Sequence, residues 1–441
     1  MGSSSNGMDV AATVSQLITA KRVPEVQWQQ DITDLQTQAT LLGQFNSAVS
    51  SLSTKLNALQ DPAGALTSMK TSSSNQNLVS ASAAPGTVAG SHVIVVSNLA
   101  STASWYSDAV ATSSTNLAAG SFTLQVGTGT ATQITVGSGV NTLDQLVTYI
   151  NTNDLGVRAS VVNDANGARL ALVSNTSGEA GDISITGATG MQFTQGVEGK
   201  NASLTVDGIP ISSSSNVVTG AVNGLTINLL GADPNSQITV GVTVDTAAAK
   251  QAISDFVTVY NTIIQGVNAQ FKFNSSSNTS GPLAGDPTMR LLQDAMLSAG
   301  SYKAPDGSTF TNLGMLGVAM ANDGTLSIDD TKMNDALANH FSDVQLFFQG
   351  TSSDGFANNL NAQLKGMTNS TDGAFTVDLK TNSSQQTDLQ HRIDDFELYI
   401  AQEQTRLTDV YNKVNILLAQ LPMQIKQIQA ALGNDQWGNA K

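Results

Sequence analysis

The sequence predicts an α+β multidomain protein, with a discontinuous helical coiled-coil base drawn from both termini, a mixed helical domain, and inserted antiparallel β-rich domains. Three observations carry this. Apolar residues recur at steps of three and four from Trp28 to Leu59, and again from Leu389, where Ile393, Ile400, Leu407, Val414, Leu421 and Ile428 fall at seven-residue intervals. Between these stripes the period changes, from about Leu78, to that of strands parted by Gly, Asn and Ser turns. The length of 441 residues also exceeds what one hydrophobic core organises.

Residues 8–22 read as a short amphipathic helix with Val10, Val14, Leu17 and Ile18 on one face. Pro24 interrupts it and suits the first turn of a second helix, which carries Ile32, Leu35, Leu42 and Phe45 and ends at Asp61-Pro62. Gly43 and a phase slip near Phe45 mark a bend or a change of partner at mid-length. Strands are expected at 93–96, 122–126, 133–136, 157–162 and 170–173, with one helix at 142–151 and a turn at Asn166-Gly167. A second β block covers 204–211, 217–218, 225–230 and 238–244, turning at Asp207-Gly208. Turn signals every 8 to 12 residues favour antiparallel sheets over βαβ units.

The helical period resumes at Ala247, with Ile253, Phe256, Val257, Tyr260, Ile263 and Ile264 on one face. Beyond the Ser/Asn-rich loop 274–282, a short helix is expected at 289–297, a hairpin turn at Asn322-Asp323-Gly324 and helix at 329–348. Residues 363–373 read as loop and Phe375–Leu379 as a short strand. The last long helix is expected to start near Ser383 and to be kinked or divided at Pro422.

Composition narrows the function. Charged residues make up only 12% and net charge is −15, with no basic run, which argues against nucleic acid and anionic membrane surfaces. Cysteine is absent, removing disulfides, thiolate metal sites and thiol nucleophiles. No run approaches a membrane span, and the opening MGSSSNGMDV has neither the basic nor the apolar region of a cleaved secretory signal, so export would follow another route. His92, His340 and His391 are scattered, with no HxH or HExxH spacing and no GxSxG elbow. Asp164-Ala165-Asn166-Gly167 and Asn322-Asp323-Gly324 do not continue into an EF-hand loop and read as tight turns. No catalytic, cofactor-binding or metal residue is expected, and no cofactor.

With this order laid out, the chain resembles the flagellar hook-associated protein 2 family, the filament capping proteins of bacterial flagella. The resemblance rests on Gly7-Met8-Asp9-Val10 with Leu17-Ile18 and the Pro24 break, and on Leu204-Thr205-Val206-Asp207-Gly208, Ser215-Asn216, Val218 and Gly224-Leu225-Thr226-Ile227. It continues through Phe256-Val257 with Tyr260-Asn261, the stretch 313–329 ending Gly324-Thr325-Leu326-Ser327-Ile328-Asp329, and the closing helix from Leu407 to Leu432. These segments keep the family's order over nearly the whole chain. Residues 141–186 are also similar to the helix-then-hairpin repeat inserted in flagellins, whereas 101–119 have no counterpart.

The resemblance implies a ring-like homo-oligomer, a pentamer or hexamer, at the growing filament tip. It implies flagellin and the hook–filament junction protein as partners, and a cytoplasmic export chaperone that binds the C-terminal end, where Ile425 and Ile428 would serve twice. The domains expected are a docking tip (1–45 and 400–441), a proximal helical domain (46–80 and 247–399), an inserted β domain (81–200) and a second β block (201–246). Candidate docking and self-assembly residues are Val10, Val14, Leu17, Ile18, Ile32, Leu35, Leu42, Leu407, Val414, Leu417, Leu421, Ile425 and Ile428. The competing reading of each is plain core. The rival functions are another axial flagellar protein (a flagellin or junction protein) and a surface adhesin or tail-fibre protein that binds host glycan.

Overall fold

A computed structural model describes residues 8–276, 278–305 and 308–433. Residues 1–7 and 434–441, which the sequence reading assigns to the docking tip, lie outside the described residues, and Ser277 in the predicted 274–282 loop does too. The chain forms two compact units: a terminal unit of Met1–Gln60 with Ala252–Lys441, and an inserted unit of Asp61–Gln251.

The terminal unit opens with α1 (Val10–Lys21) and α2 (Val23–Gln60). Along α2 the apolar stripe is half-buried at Ile32 and Leu35, then fully buried at Leu42, Val49, Leu52, Leu56 and Leu59. The change at mid-helix is therefore one of burial, while α2 itself continues unbroken.

In the inserted unit come β1 (Met69–Ser73), β2 (Val79–Ala83), β3 (Gly90–Asn98), β4 (Thr102–Ser107), β5 (Gly120–Val126) and β6 (Thr132–Val136). They are followed by α3 (Leu143–Thr152), β7 (Val157–Asp164), β8 (Gly167–Ser177), β9 (Ile183–Thr186) and β10 (Phe193–Val197). The unit closes with β11 (Ala202–Val206), β12 (Ile209–Ser213), β13 (Val217–Val222), β14 (Leu225–Leu229) and β15 (Asp233–Val244). The ladders among these strands are antiparallel: β1-β15-β3-β11-β12 and β13-β14-β2 enclose one core, centred on Ile94, Val96, Leu204, Ile227 and Val240. Strands β10-β4-β8-β7 and β6-β5-β9, with α3, enclose a second around Phe122, Leu146, Ile150 and Leu170. The second core is threaded between β3 and β11, so one sheet module is nested inside another.

The chain re-enters the terminal unit through α4 (Thr246–Phe271), then α5 (Pro287–Ser301), the hairpin β16 (Val318–Met320) and β17 (Leu326–Ile328), α6 (Asp330–Asn339), α7 (Phe341–Gln349), α8 (Phe356–Thr368) and α9 (Ala374–Gly433). Asp286 caps α5 by accepting from the Thr288 and Met289 amides, with Pro287 in the first turn. Gly324 closes the β16–β17 turn at φ +82°, where an L-residue is strained. Gly266 on α4 admits the ring of Phe45, since a Cβ there would stand 3.0 Å from Phe45 Cε1. Tyr260 is buried and donates its hydroxyl to the Met296 carbonyl at 2.6 Å.

Three local expectations are corrected. Phe375–Leu379 is helix, and α9 starts at Ala374 instead of near Ser383. The β-branched pair Thr376-Val377 has no partner strand to pair with, whereas Phe375 is fully buried and the Val377 amide bonds to the Gly373 carbonyl. Residues 363–368 belong to α8, because Leu360, Leu364 and Met367 form one buried face with Phe356. Of the two outcomes expected at Pro422, division does not occur, since α9 runs through it. The proline removes one amide donor, and the carbonyl it frees belongs to half-exposed Leu418, on a stretch open to water.

A buried amide knot joins α2 to α8. Ser53 Oγ donates to Asn361 Oδ1 at 2.5 Å, and Asn361 Nδ2 donates to Asn57 Oδ1 (2.8 Å) and Gln60 Oε1 (3.1 Å). Asn361→Ala should therefore cost about 1–3 kcal/mol in urea unfolding, because it orphans several polar groups at once. Ser53→Ala removes a single donor and should cost less. Equal losses would contradict the shared network.

Candidate docking interface on the terminal helices

Asp9 starts α1, its carboxylate accepting from the Ala12 amide at 3.0 Å. The helix stops at Lys21 because Pro24 has no amide hydrogen to offer the turn before it. Arg22 alone joins α1 to α2, with φ −77° and its N–H shared between the Ile18 and Thr19 carbonyls. α1 runs antiparallel to α9: the Met8 amide donates to Asn415 Oδ1 at 3.0 Å, and Arg22 reaches Glu397.

The apolar part of this contact is small. Val14, Ile18 and Ile400 are 3%, 7% and 1% exposed, with Val10, Phe396, Leu407 and Tyr411 packed around them. Trp28 adds an edge-on contact to Phe396, centroids 5.5 Å apart.

Charges surround it. Arg22 holds Glu397 with two bonds (2.6 and 2.8 Å) and also donates to Glu25 at 2.6 Å. Glu403 accepts two bonds from Arg406, both 2.8 Å, and pairs with Lys21 at 3.1 Å. Hydrogen bonds from Arg406, then from Lys21, pull the Glu403 carboxyl from its ordinary value down to about 2. Arg22 likewise lowers Glu397. The part of this lowering that Lys21 and Arg22 cause stabilises the α1–α9 contact above the ordinary titration range, and it is lost as pH falls from about 4.5 towards about 2. Residues 10–21 should thus detach from α9 across that acid window before the rest of the unit unfolds. Amide chemical shifts of α1 followed by NMR check this, and shifts that stay constant until global unfolding would contradict it.

The candidate residues divide into two groups. Val14, Ile18 and Leu42 are buried, and Val10, Ile32, Leu35 and Leu407 half-buried, all within the terminal unit. Leu17, Val414, Leu417, Leu421, Ile425 and Ile428 are exposed, from 36% at Leu17 and Val414 to 61% at Leu417. Ile416 and Met423 are exposed on the same stretch. From Val410 to Gly433 the only charged residues are Lys413 and Lys426. The Lys21–Glu403 and Arg22–Glu397 contacts have no counterpart in sequence spacing, since the partners lie hundreds of residues apart.

Elsewhere, the three histidines stay apart: His92 pairs with Asp207 at 2.7 Å, His340 stands 3.6 Å from Asp343, and His391 lies on α9. Among the described residues no group of three or more His, Asp or Glu is placed to hold a metal ion, and no helix is long and apolar enough to cross a membrane.

Sequence profiles match both ends of the chain: the flagellar hook-associated protein 2 N-terminus over residues 6–103 and its C-terminus over 199–422. The flagellin hook IN motif matches 121–176, overlapping the helix-then-hairpin segment. The B-type flagellar hook-associated protein 2 of Pseudomonas aeruginosa is 29% identical over 439 residues, covering 92% of this chain and 91% of that protein. The flagellar hook-associated protein 2 of Aeromonas caviae is 29% identical over 397 residues, covering 83% and 84%. Among solved structures, the D1-D2-D3 domains of the Escherichia coli flagellar cap protein superpose with a TM-score of 0.65 at 25% identity, covering 78% of this chain and 99% of that one.

Proposed function

The chain belongs to the flagellar hook-associated protein 2 family, and on that premise we propose that it is the structural cap at the distal end of a bacterial flagellar filament. Beneath such a cap, exported flagellin is confined until it folds into the filament end. The work is steric, and it requires no bond-making group.

The observation that carries this reading is the exposed apolar stripe of α9. A helix rooted in the terminal unit by Ile400 presents Val414, Leu417, Leu421, Ile425 and Ile428 to water. Each gains at most about 1.5–3 kcal/mol on burial. Association costs about 4–15 kcal/mol. The two nearly balance, so the stripe supports contacts that form and break, as a cap that advances with each added subunit requires.

In this reading residues 1–45 and 400–441 are the docking tip, and five or six copies form the working ring. The junction protein and flagellin meet the tip outside the cell. An export chaperone covers Ile425 and Ile428 before secretion.

Supplying this chain to flagellated cells that lack their own cap protein should restore filaments and keep flagellin out of the medium. A version lacking residues 400–441 should do neither. Normal filament growth in its natural host after deletion of the gene would overturn the proposal.

A further inference from the structure

The α9 stripe is longer than its cover. The heptad residues Ile400 and Leu407 lie under or beside α1, while Val414, Leu421 and Ile428 continue the same row uncovered. Ile400 and Ile428 are each fourteen residues from Val414, so the row is symmetric about it.

The uncovered half also resembles the cover. α1 presents Val10, Val14 and Ile18 at spacings of four, and α9 repeats that spacing at Leu417, Leu421 and Ile425. Both segments are basic: α1 ends in Lys21-Arg22, which meet Glu403 and Glu397, and the free half of α9 carries Lys413 and Lys426 with no acid. An antiparallel helix is already shown to fit this row, since α1 occupies it in that direction.

We propose that two copies of this chain pair antiparallel through α9 about a two-fold axis at Val414, and that α1 is a displaceable cover which each copy gives up to the other. This deepens the reading of the stripe as a docking surface and rests on it. Ile428 of each copy then faces Ile400 of the other, Leu421 faces Leu407, and Val414 faces its own counterpart, giving five apolar layers from a self-complementary patch. Lys426 falls one residue from the level of Glu403, the carboxylate that Lys21 vacates. Pairing about Leu421 would leave α1 in place, but it joins only three layers, too few for a short two-helix contact to persist in water. Displacement is cheap because α1 buries only Val14 and Ile18, pivots on one residue, and is otherwise held by the Met8–Asn415 hydrogen bond and by ion pairs that contribute little at a surface.

The chain's lack of cysteine makes the test clean. Val414→Cys and Leu421→Cys are prepared separately; both positions are exposed, so neither change burdens the fold. Under mild oxidation Val414→Cys should form disulfide-linked dimers at least tenfold faster than Leu421→Cys. Hydrogen exchange of residues 10–21 should speed up in that dimer relative to the monomer. A faster Leu421→Cys, equal rates, or a dimer in which α1 stays protected would each overturn the proposal. Independently, Arg22→Gln loosens α1 without touching the row and should lower the concentration for half-dimerisation several-fold; an unchanged or raised concentration counts against displacement. These measurements on purified protein are separate from the growth of filaments in cells, so the cap reading stands or falls by itself.

Discussion

Leu417→Asp, Leu421→Asp and Ile425→Asp introduced together should abolish filament growth while leaving the subunit folded. Each side chain is exposed and contributes little to the monomer, so each change should move stability by no more than about 0.5 kcal/mol in urea unfolding. Their effect falls on association. Three carboxylates would have to be dehydrated at any apolar contact, and an unpaired buried charge costs several kcal/mol. Contacts poised near balance do not survive that loss. Electron microscopy of cells carrying the triple variant should show hooks without filaments and flagellin in the medium. Full-length filaments from a stably expressed triple variant would remove the stripe from the mechanism.

Phe356→Ala should produce the largest loss of stability, about 3–5 kcal/mol. Phe356 is almost wholly buried at the start of α8 and touches four other rings. It stacks on Phe347 at 5.7 Å and meets Phe256, Tyr302 and Phe348 edge-on at 5.5 to 5.7 Å. These rings come from α4, α7, α8 and the segment after α5, so removing the central one opens a cavity that no single helix movement refills. Calorimetry should show the terminal unit's transition falling by about 2–4 °C per kcal/mol lost. Leu17→Ala, at an exposed position of α1, is the control and should stay within about 0.5 kcal/mol. A Phe356→Ala variant as stable as that control would contradict the aromatic hub.

Much of the architecture is legible from periodicity. Steps of three and four along Leu42, Phe45, Val49, Leu52 and Leu56 imply a helix buried on one side, and these residues are the buried face of α2. Alternation in the Phe122–Val126 and Ile134–Val136 stretches implies strands, and Phe122, Leu124, Ile134 and Val136 do point into one core. Periodicity reads less well where a long-range contact decides. Phe375-Thr376-Val377 has the composition of a strand and folds as helix because its aromatic ring is buried in the terminal unit. Residues 363–368 are polar enough for a loop, yet Leu364 and Met367 are held under by their neighbours on α8. Strands β1 and β4 escape a sequence reading because Met69–Ser73 and Thr102–Ser107 are rich in Ser and Thr, and they gain their ladders from β15, β8 and β10.

The candidate interface shows the same division. The sequence by itself determined that both ends of this chain are amphipathic helices with a seven-residue row, since that pattern depends only on residues a few positions apart. It also determined the antiparallel, turn-punctuated middle. Only the tertiary structure decided that the first half of the row lies under α1, that Arg22 and Lys21 bind Glu397 and Glu403, and that the row from Val414 onward remains in water. A helix's apolar face is written into local spacing, but what covers it depends on segments brought together across more than three hundred residues, and no local pattern records that choice.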